Sequence, residues 1–274
     1  MIPKFNLHTH TVLCDGKNSA EEMVLAAIEC GCDGIGFSGH SFLNIGKQDD
    51  GEWFMSEAGM LEYKDEITGL KEKYKDKIEI LLGIEYDSHS NIDISPYDYV
   101  IGSVHYNLKN GKYIPIDLGV NELKDYVKKY YRDIYEFCED YYKALAEIKQ
   151  KTDCDIVGHF DLVAKFNEDG SLFDENDPRY RCAALECLNR LAAENVIFEI
   201  NTGAISRGYK KLPYPSRNIL KEMVKLGCKL TVTTDCHSGE ALLCCYDDAI
   251  RYARECGAKE LYFYKNGGFV PYSL

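Results

Sequence analysis

The stretch FNLHTHTVLCDGKNSAEEMVLAAIECGCDGIGFSGH (residues 5–40) contains the unit from which the rest of the chain is built. FNLHTH (5–10) reads as a short strand. Ser19 then stands just ahead of a run with helical apolar spacing, and Glu21 and Glu22 fall in its first turn, which predicts a capped helix through about Cys30. DGIGFSGH (33–40) is a second strand. Strand, helix and strand at this spacing imply a right-handed crossover and parallel pairing.

The alternation continues outward. A charged helix around 58–76 leads to the strand IEILLGIEYD (78–87), and YDYVIGSVHY (97–106) is a fourth strand. One long tyrosine-bearing helix is expected over about 121–151, followed by DIVGHFD (155–161), a helix over 178–194, VIFEINTG (196–203), a helix over 215–226 and KLTVTTDCH (229–237). A last helix (239–256) and the run KELYFYKNG close the chain. The strands are apolar on both faces, as a parallel sheet covered by helices requires. About seven such units in this length predict an α/β barrel, closed or nearly so. With no linker-like composition shift, residues 1–274 read as one domain.

Composition narrows the function. The 274 residues carry 32 Lys and Arg against 45 Asp and Glu, a net charge of -13, so nucleic acid is not expected as a partner. No apolar run reaches the roughly 18 residues of a membrane span, and the first residues lack a basic stretch before an apolar run. A cytoplasmic protein acting on a small molecule is the expectation. The twelve cysteines form no C-x-x-C pair and read as structural thiols. The tyrosines at 126, 130, 131, 135, 141 and 142 read as packing against the barrel wall.

Histidine and carboxylate residues sit at the carboxyl ends of nearly every expected strand. His8 and His10 end the first, with Asp15 in the loop beyond, and His40, Glu85, His105 and His159 end later ones. Asp235 and His237 end the last. In a parallel barrel those ends meet on one rim, where such barrels place their sites. Six of the seven histidines fall there; His89, in the loop after Glu85, is left out. H-x-H on a strand points both imidazoles to one face, and D-x-H does the same for Asp235 and His237 while turning Cys236 away. Nine donors exceed the roughly four to six that one ion takes, so they imply two or three divalent ions. Three such ions against three carboxylates leave a charge of about +3, suited to a phosphate dianion. Hydrolysis of a phosphate ester is the chemistry this donor set explains best.

Taken in order, HTH, SGH, GIEYD, GSVH, GHFD and TDCH resemble the polymerase-and-histidinol-phosphatase (PHP) family, and most closely its histidinol-phosphate phosphatase branch. The resemblance runs from His8 to His237 and implies a distorted (β/α)7 TIM-like barrel with a trinuclear centre. By it, His8, His10, Glu85 and Asp235 hold one metal, and Glu85 bridges to a second completed by His105 and His159. Asp15, His40 and His237 hold the third. The ions expected are two or three of Zn, Fe, Mn or Co. The implied activity is that of a phosphomonoesterase on L-histidinol phosphate, in histidine biosynthesis, through attack by a metal-bridging hydroxide. Another small phosphate ester (a nucleotide, a sugar phosphate or a phosphodiester) stays open as substrate, as does a non-catalytic metal-binding module.

Further residues are candidates by position. Arg207, in NTGAISRGYKK, is a phosphate clamp, because guanidinium grips phosphate bidentately. Lys210 and Lys211 read as surface charges. Ser103 and Asp161 flank ligands and are candidate supports for them. The segment 44–59 reads as a rim loop, and its Trp53 as a substrate contact.

Overall fold

The computed structural model describes residues 2–46 and 53–274. Strand β1 (Phe5–Asn6) is followed by α1 (Ala20–Glu29), β2 (Gly34–Phe37), α2 (Glu57–Lys73), β3 (Glu79–Asp87) and β4 (Tyr99–Ser103). A hairpin, β5 (Tyr106–Lys109) and β6 (Lys112–Pro115), comes next, then α3 (Val120–Tyr130), α4 (Ile134–Leu145), α5 (Ile148–Thr152) and β7 (Ile156–Val157). After α6 (Pro178–Ala192) and β8 (Ile197–Asn201) come α7 (Gly203–Ser206), α8 (Arg217–Lys225), β9 (Lys229–Thr233) and α9 (Tyr246–Glu255). A second hairpin, β10 (Glu260–Lys265) and β11 (Gly268–Ser273), ends the chain.

Seven strands pair in the order β1-β2-β3-β4-β7-β8-β9, every neighbour parallel. The two edges meet through Thr9 and Cys236, where the His10 amide donates to the Cys236 carbonyl at 3.0 Å and the Cys236 amide to the His8 carbonyl at 3.2 Å. The sheet is therefore a (β/α)7 barrel, nearly closed, with its last ladder reduced to a single bridge. That bridge joins the two segments richest in site residues.

Local chemistry explains the elements. Ser19 and Glu22 form a reciprocal cap at the start of α1. Inside the barrel Tyr99 lies across Gly83, where an added Cβ would fall 2.2 Å from its ring, and its hydroxyl reaches the carbonyls of Leu7 and Phe37. Glycine there is a packing requirement. The buried aromatic ties three strands together and satisfies its own polar tip.

Three expectations change. The helix expected over 121–151 is three helices. Tyr131 is extended (ψ 155°), and Asp133 restarts the chain by accepting from the Glu136 amide at 2.9 Å. α5 ends at Asp153, in the left-handed region at φ 49°. The last helix begins only at Tyr246, because Cys245 adopts φ 56°. The six tyrosines thus sit on and between two helices, and all pack on the core as expected. The rim segment 44–59 gives way to α2 at Glu57, and residues 47–52 lie outside the described part.

All twelve cysteines are free thiols. No helix among the described residues is long and apolar enough to cross a membrane.

Candidate metal centre

The nine expected residues meet at the carboxyl ends of the barrel strands, and Glu85 is the hub. Its Oε2 lies 3.2 Å from His8 Nε2, 3.6 Å from His10 Nε2 and 2.8 Å from His40 Nδ1. Its Oε1 lies 3.0 Å from His159 Nε2 and 3.4 Å from His105 Nε2. Asp235 closes one side, its Oδ1 3.1 Å from His10 Nε2 and 3.7 Å from His8 Nε2. Asp15 closes another, with Oδ2 3.0 Å from His237 Nε2 and Oδ1 3.4 Å from His10 Nδ1. His89 is elsewhere, its Nε2 3.1 Å from the Tyr106 carbonyl.

Local backbone sets this convergence. Asp235 takes φ 46° as the chain leaves β9, which turns its carboxylate back over the barrel mouth. Gly203 lies beneath it, where a Cβ would come within 2.6 Å of Asp235 Oδ2. Cys236 is buried on the other side with its sulfur toward Asn6 and Thr9. The period-2 reading of D-x-H therefore holds even though Asp235 has left the strand.

The donors fit divalent ions. His8 Nε2, His10 Nε2 and Glu85 Oε2 are buried and make no aligned hydrogen bond, although each lies close to the others. Donors aimed at shared points rather than at one another are what a metal site needs; left empty-handed they would each cost about 1–3 kcal/mol. Among the described residues three groups have donor atoms within 4.8 Å of one another: His10, Asp15, His40 and His237; His8, His10 and Glu85; and His40, Glu85 and His105. Nitrogen and carboxylate donors together suit first-row transition metals.

The electrostatics are those of a dense carboxylate–imidazole cluster. Burial acts to lower the His8 pKa, but the carboxylates of Glu199, Glu85 and Asp235 outweigh it and hold it well above the usual value. Burial pushes His10 the other way, to about 3, helped by His237 and His40. Glu85 is held well below the usual carboxylate range: burial acts to raise it, and His40, His8 and His105 overcome that.

Two carboxylates outside the nine orient the imidazoles. Glu199, within the apolar strand β8, places Oε2 2.9 Å from His8 Nδ1, and its Oε1 accepts from the His159 amide at 2.6 Å. Asp87 Oδ2 lies 3.0 Å from His105 Nδ1 and accepts from the same residue's amide. Such pairs fix tautomer and ring direction. Sequence reasoning chose Ser103 and Asp161 for this role. The structure corrects both: the Ser103 hydroxyl has no hydrogen-bond partner, and Asp161 accepts from the Ser216 amide. A lone charged residue inside VIFEIN, and an acid two residues after Glu85 on the same strand face, were the available signals.

A pocket of about 290 Å³ opens over the cluster. Arg207 lines it, with Nη2 2.9 Å from Asp235 Oδ2, Nη1 2.8 Å from His237 Nδ1, and a buried Nε without a hydrogen-bond partner. Trp53 also lines it, packing edge-on to His40 with ring centroids 4.5 Å apart and donating to the Tyr106 hydroxyl at 3.0 Å. Asp117, Lys165 and Tyr209 complete the far wall. Lys210 is not a surface charge as expected; its side chain is 7% exposed, with Nζ 3.4 Å from the Ala164 carbonyl. Lys211 is exposed.

Known proteins share this architecture. The chain is 29% identical over 251 residues to the histidinol-phosphatase of Lactococcus lactis, covering 86% of this chain and 85% of that one. It is 26% identical over 256 residues to the histidinol-phosphatase of Bacillus subtilis, covering 84% and 92%. A crystal structure of the Lactococcus lactis histidinol phosphate phosphatase, complexed with zinc, L-histidinol and phosphate, superposes with a TM-score of 0.71 at 23% identity, over 98% of this chain and 100% of that one. That likeness shows a common fold. Residues 6–203 match the PHP domain model, so the chain belongs to the PHP family.

Proposed function

We propose that the protein is a metal-dependent phosphomonoesterase that hydrolyses L-histidinol phosphate to L-histidinol and phosphate. The observation that carries the reading is the convergence of six imidazoles and three carboxylates on one rim around Glu85. Family membership and two relatives named histidinol-phosphatase support the substrate.

The nine residues would hold two or three divalent ions. Asp15, His40 and His237 sit to one side, His8, His10 and Asp235 to another, and His105 and His159 face Glu85 Oε1. Ions bound there would lower the pKa of coordinated water and draw charge from the phosphoryl oxygens. The protein's own part is orientation. Glu199 and Asp87 hold the rings of His8 and His105 in place before substrate arrives, so little reorganisation is left for the reaction.

Arg207 supplies a cation beside Asp235 and His237 on the wall of the pocket, where it would face a phosphoryl group. Trp53 walls the pocket next to His40 and excludes water from that side. The test is phosphate release from L-histidinol phosphate, set beside nucleotides and sugar phosphates. Turnover of the latter alone would keep the metal chemistry and discard the substrate.

A further inference from the structure

The turn between β9 and α9 carries two neighbouring cysteines, Cys244 and Cys245, both half-buried. Their sulfurs are in contact at 3.9 Å, with the Cys244 thiol donating to Cys245. Cys245 holds φ 56°, a left-handed conformation that a cysteine rarely adopts. The same turn braces the candidate metal centre. The Cys244 carbonyl accepts from Thr202 Oγ1 at 2.7 Å, and the Leu242 carbonyl from Thr234 Oγ1 at 2.8 Å. Thr202 precedes Gly203, which lies beneath Asp235, and Thr234 precedes Asp235 itself. Arg207 belongs to the short helical turn that Thr202 begins, its amide donating to the Gly203 carbonyl at 3.2 Å.

A disulfide between adjacent residues closes a ring that contains the peptide group between them. Its S–S bond is about 2.05 Å long, so the two sulfurs must close nearly half their present separation and the peptide must turn with them. The carbonyl in that ring is the one to which Thr202 donates. A recess of about 220 Å³ opens beside Cys245, where Arg217 pairs with Glu255, Arg251 pairs with Asp248, and Lys211 has no ion pair among the described residues. A cation left over there favours a carboxylate-bearing reagent. We propose that Cys244 and Cys245 are a thiol–disulfide exchange site for a small carboxylate-bearing disulfide such as glutathione disulfide, and that ring closure withdraws the Thr202 brace from the turns holding Asp235 and Arg207. The Cys245 thiolate attacks one sulfur of the reagent, forming a mixed disulfide and releasing a thiolate. The Cys244 thiolate then attacks the Cys245 sulfur and releases the second. Two protein thiols are oxidised, one disulfide is reduced to two thiols, and the two protons pass to the departing thiolates. The effect on activity rests on the phosphomonoesterase reading; the exchange itself does not.

The test exposes wild type and Cys244→Ser to glutathione buffers of rising disulfide fraction, then alkylates the remaining thiols and weighs the tryptic peptide 230–251. Wild type should give a peptide lighter by two hydrogens at 244–245 with Cys236 alkylated, and Cys244→Ser should stop at glutathione on Cys245. In the chelated protein, amide exchange over residues 201–207 should quicken about tenfold or more on oxidation, in wild type alone. In the metal-loaded enzyme, phosphate release should fall several-fold in the same samples and recover with dithiothreitol, while Cys244→Ser, which keeps the backbone carbonyl, holds its activity. Alkylation of both Cys244 and Cys245 in buffers that fully modify the exposed Cys30 and Cys182 would overturn the exchange site. Ring closure with unchanged amide exchange over 201–207 would overturn the coupling. Ring closure with quickened exchange, in a protein that releases no phosphate from L-histidinol phosphate, establishes the pair and removes the phosphatase reading instead.

Discussion

Glu199 Oε2 lies 2.9 Å from His8 Nδ1 inside the barrel, and both side chains are fully buried. The carboxylate also accepts from Thr233 Oγ1 at 2.8 Å, Asn201 Nδ2 at 2.8 Å and the His159 amide at 2.6 Å. One side chain thus satisfies donors from β8, β9 and the segments after β1 and β7, and directs His8 Nε2 at Glu85. Glu199→Gln keeps the shape but replaces one acceptor oxygen with an amide that must face donors. Metal affinity should fall about 10–100-fold, with a stability loss of about 1–3 kcal/mol from the unmatched donors. Metal titration and urea unfolding of the variant would check both.

Metal removal should cost stability as well as activity. Ions that bind only the folded chain stabilise it by about 2.7 kcal/mol at one hundred times Kd. For a domain of this size that corresponds to roughly 5–10 °C. Dialysis against a chelator should lower Tm by that amount, and adding back Mn, Zn or Fe should restore it. An unchanged Tm would argue against ions held by His8, His10 and Glu85.

Arg207 offers a charge and a planar fork. Arg207→Lys keeps the charge and loses the bidentate geometry, so KM for the phosphate ester should rise about tenfold. Binding of inorganic phosphate as an inhibitor should weaken to the same extent. If both are unaffected, Arg207 serves only to hold Asp235 and His237.

Asp117 predicts an acid limb of stability. Burial acts to raise its pKa, but Lys165 and His105 outweigh it and bring it down to about 2. A carboxylate with a depressed folded-state pKa contributes stability that is complete above its unfolded value near 4 and is lost as pH falls toward 2. With screening at 29% exposure, the loss should be about 1–2 kcal/mol. In the chelated protein, unfolding free energy should drop by that much more for wild type than for Asp117→Asn between pH 4 and pH 2.

Much of this was legible in the sequence, for physical reasons that differ by element. The strand ends were readable because parallel strands are apolar throughout and a histidine at the end of one stands out, as in GSVH and GHFD. Pairing in H-x-H survived although β1 proper ends at Asn6 and His8 and His10 lie beyond it, because the closing bridge through Thr9 keeps that stretch extended. The β5–β6 hairpin was missed even though Asn110-Gly111, with φ 51° and 75°, is a strong short-range turn pair. That omission hid Asp117, whose place in the pocket depends on the hairpin. Glu199 and Asp87 were missed although a lone acid inside an apolar strand, and one two residues after Glu85, could have marked them, because neither position says which ring it supports. The rings they orient, His8 and His105, are distant in sequence from them. The break at Tyr131 was invisible to periodicity, since the tyrosine spacing carries across it.

The central claim is that these nine residues form a metal centre that hydrolyses L-histidinol phosphate. The most direct measurement is phosphate release from that ester by the purified protein, metal-loaded, chelated and as His8→Ala. Turnover in the loaded wild type, abolished by chelator, restored by added metal and lost in His8→Ala, is the predicted result. Turnover that persists in the chelated protein, or none after reconstitution with Mn, Zn or Fe, would contradict it.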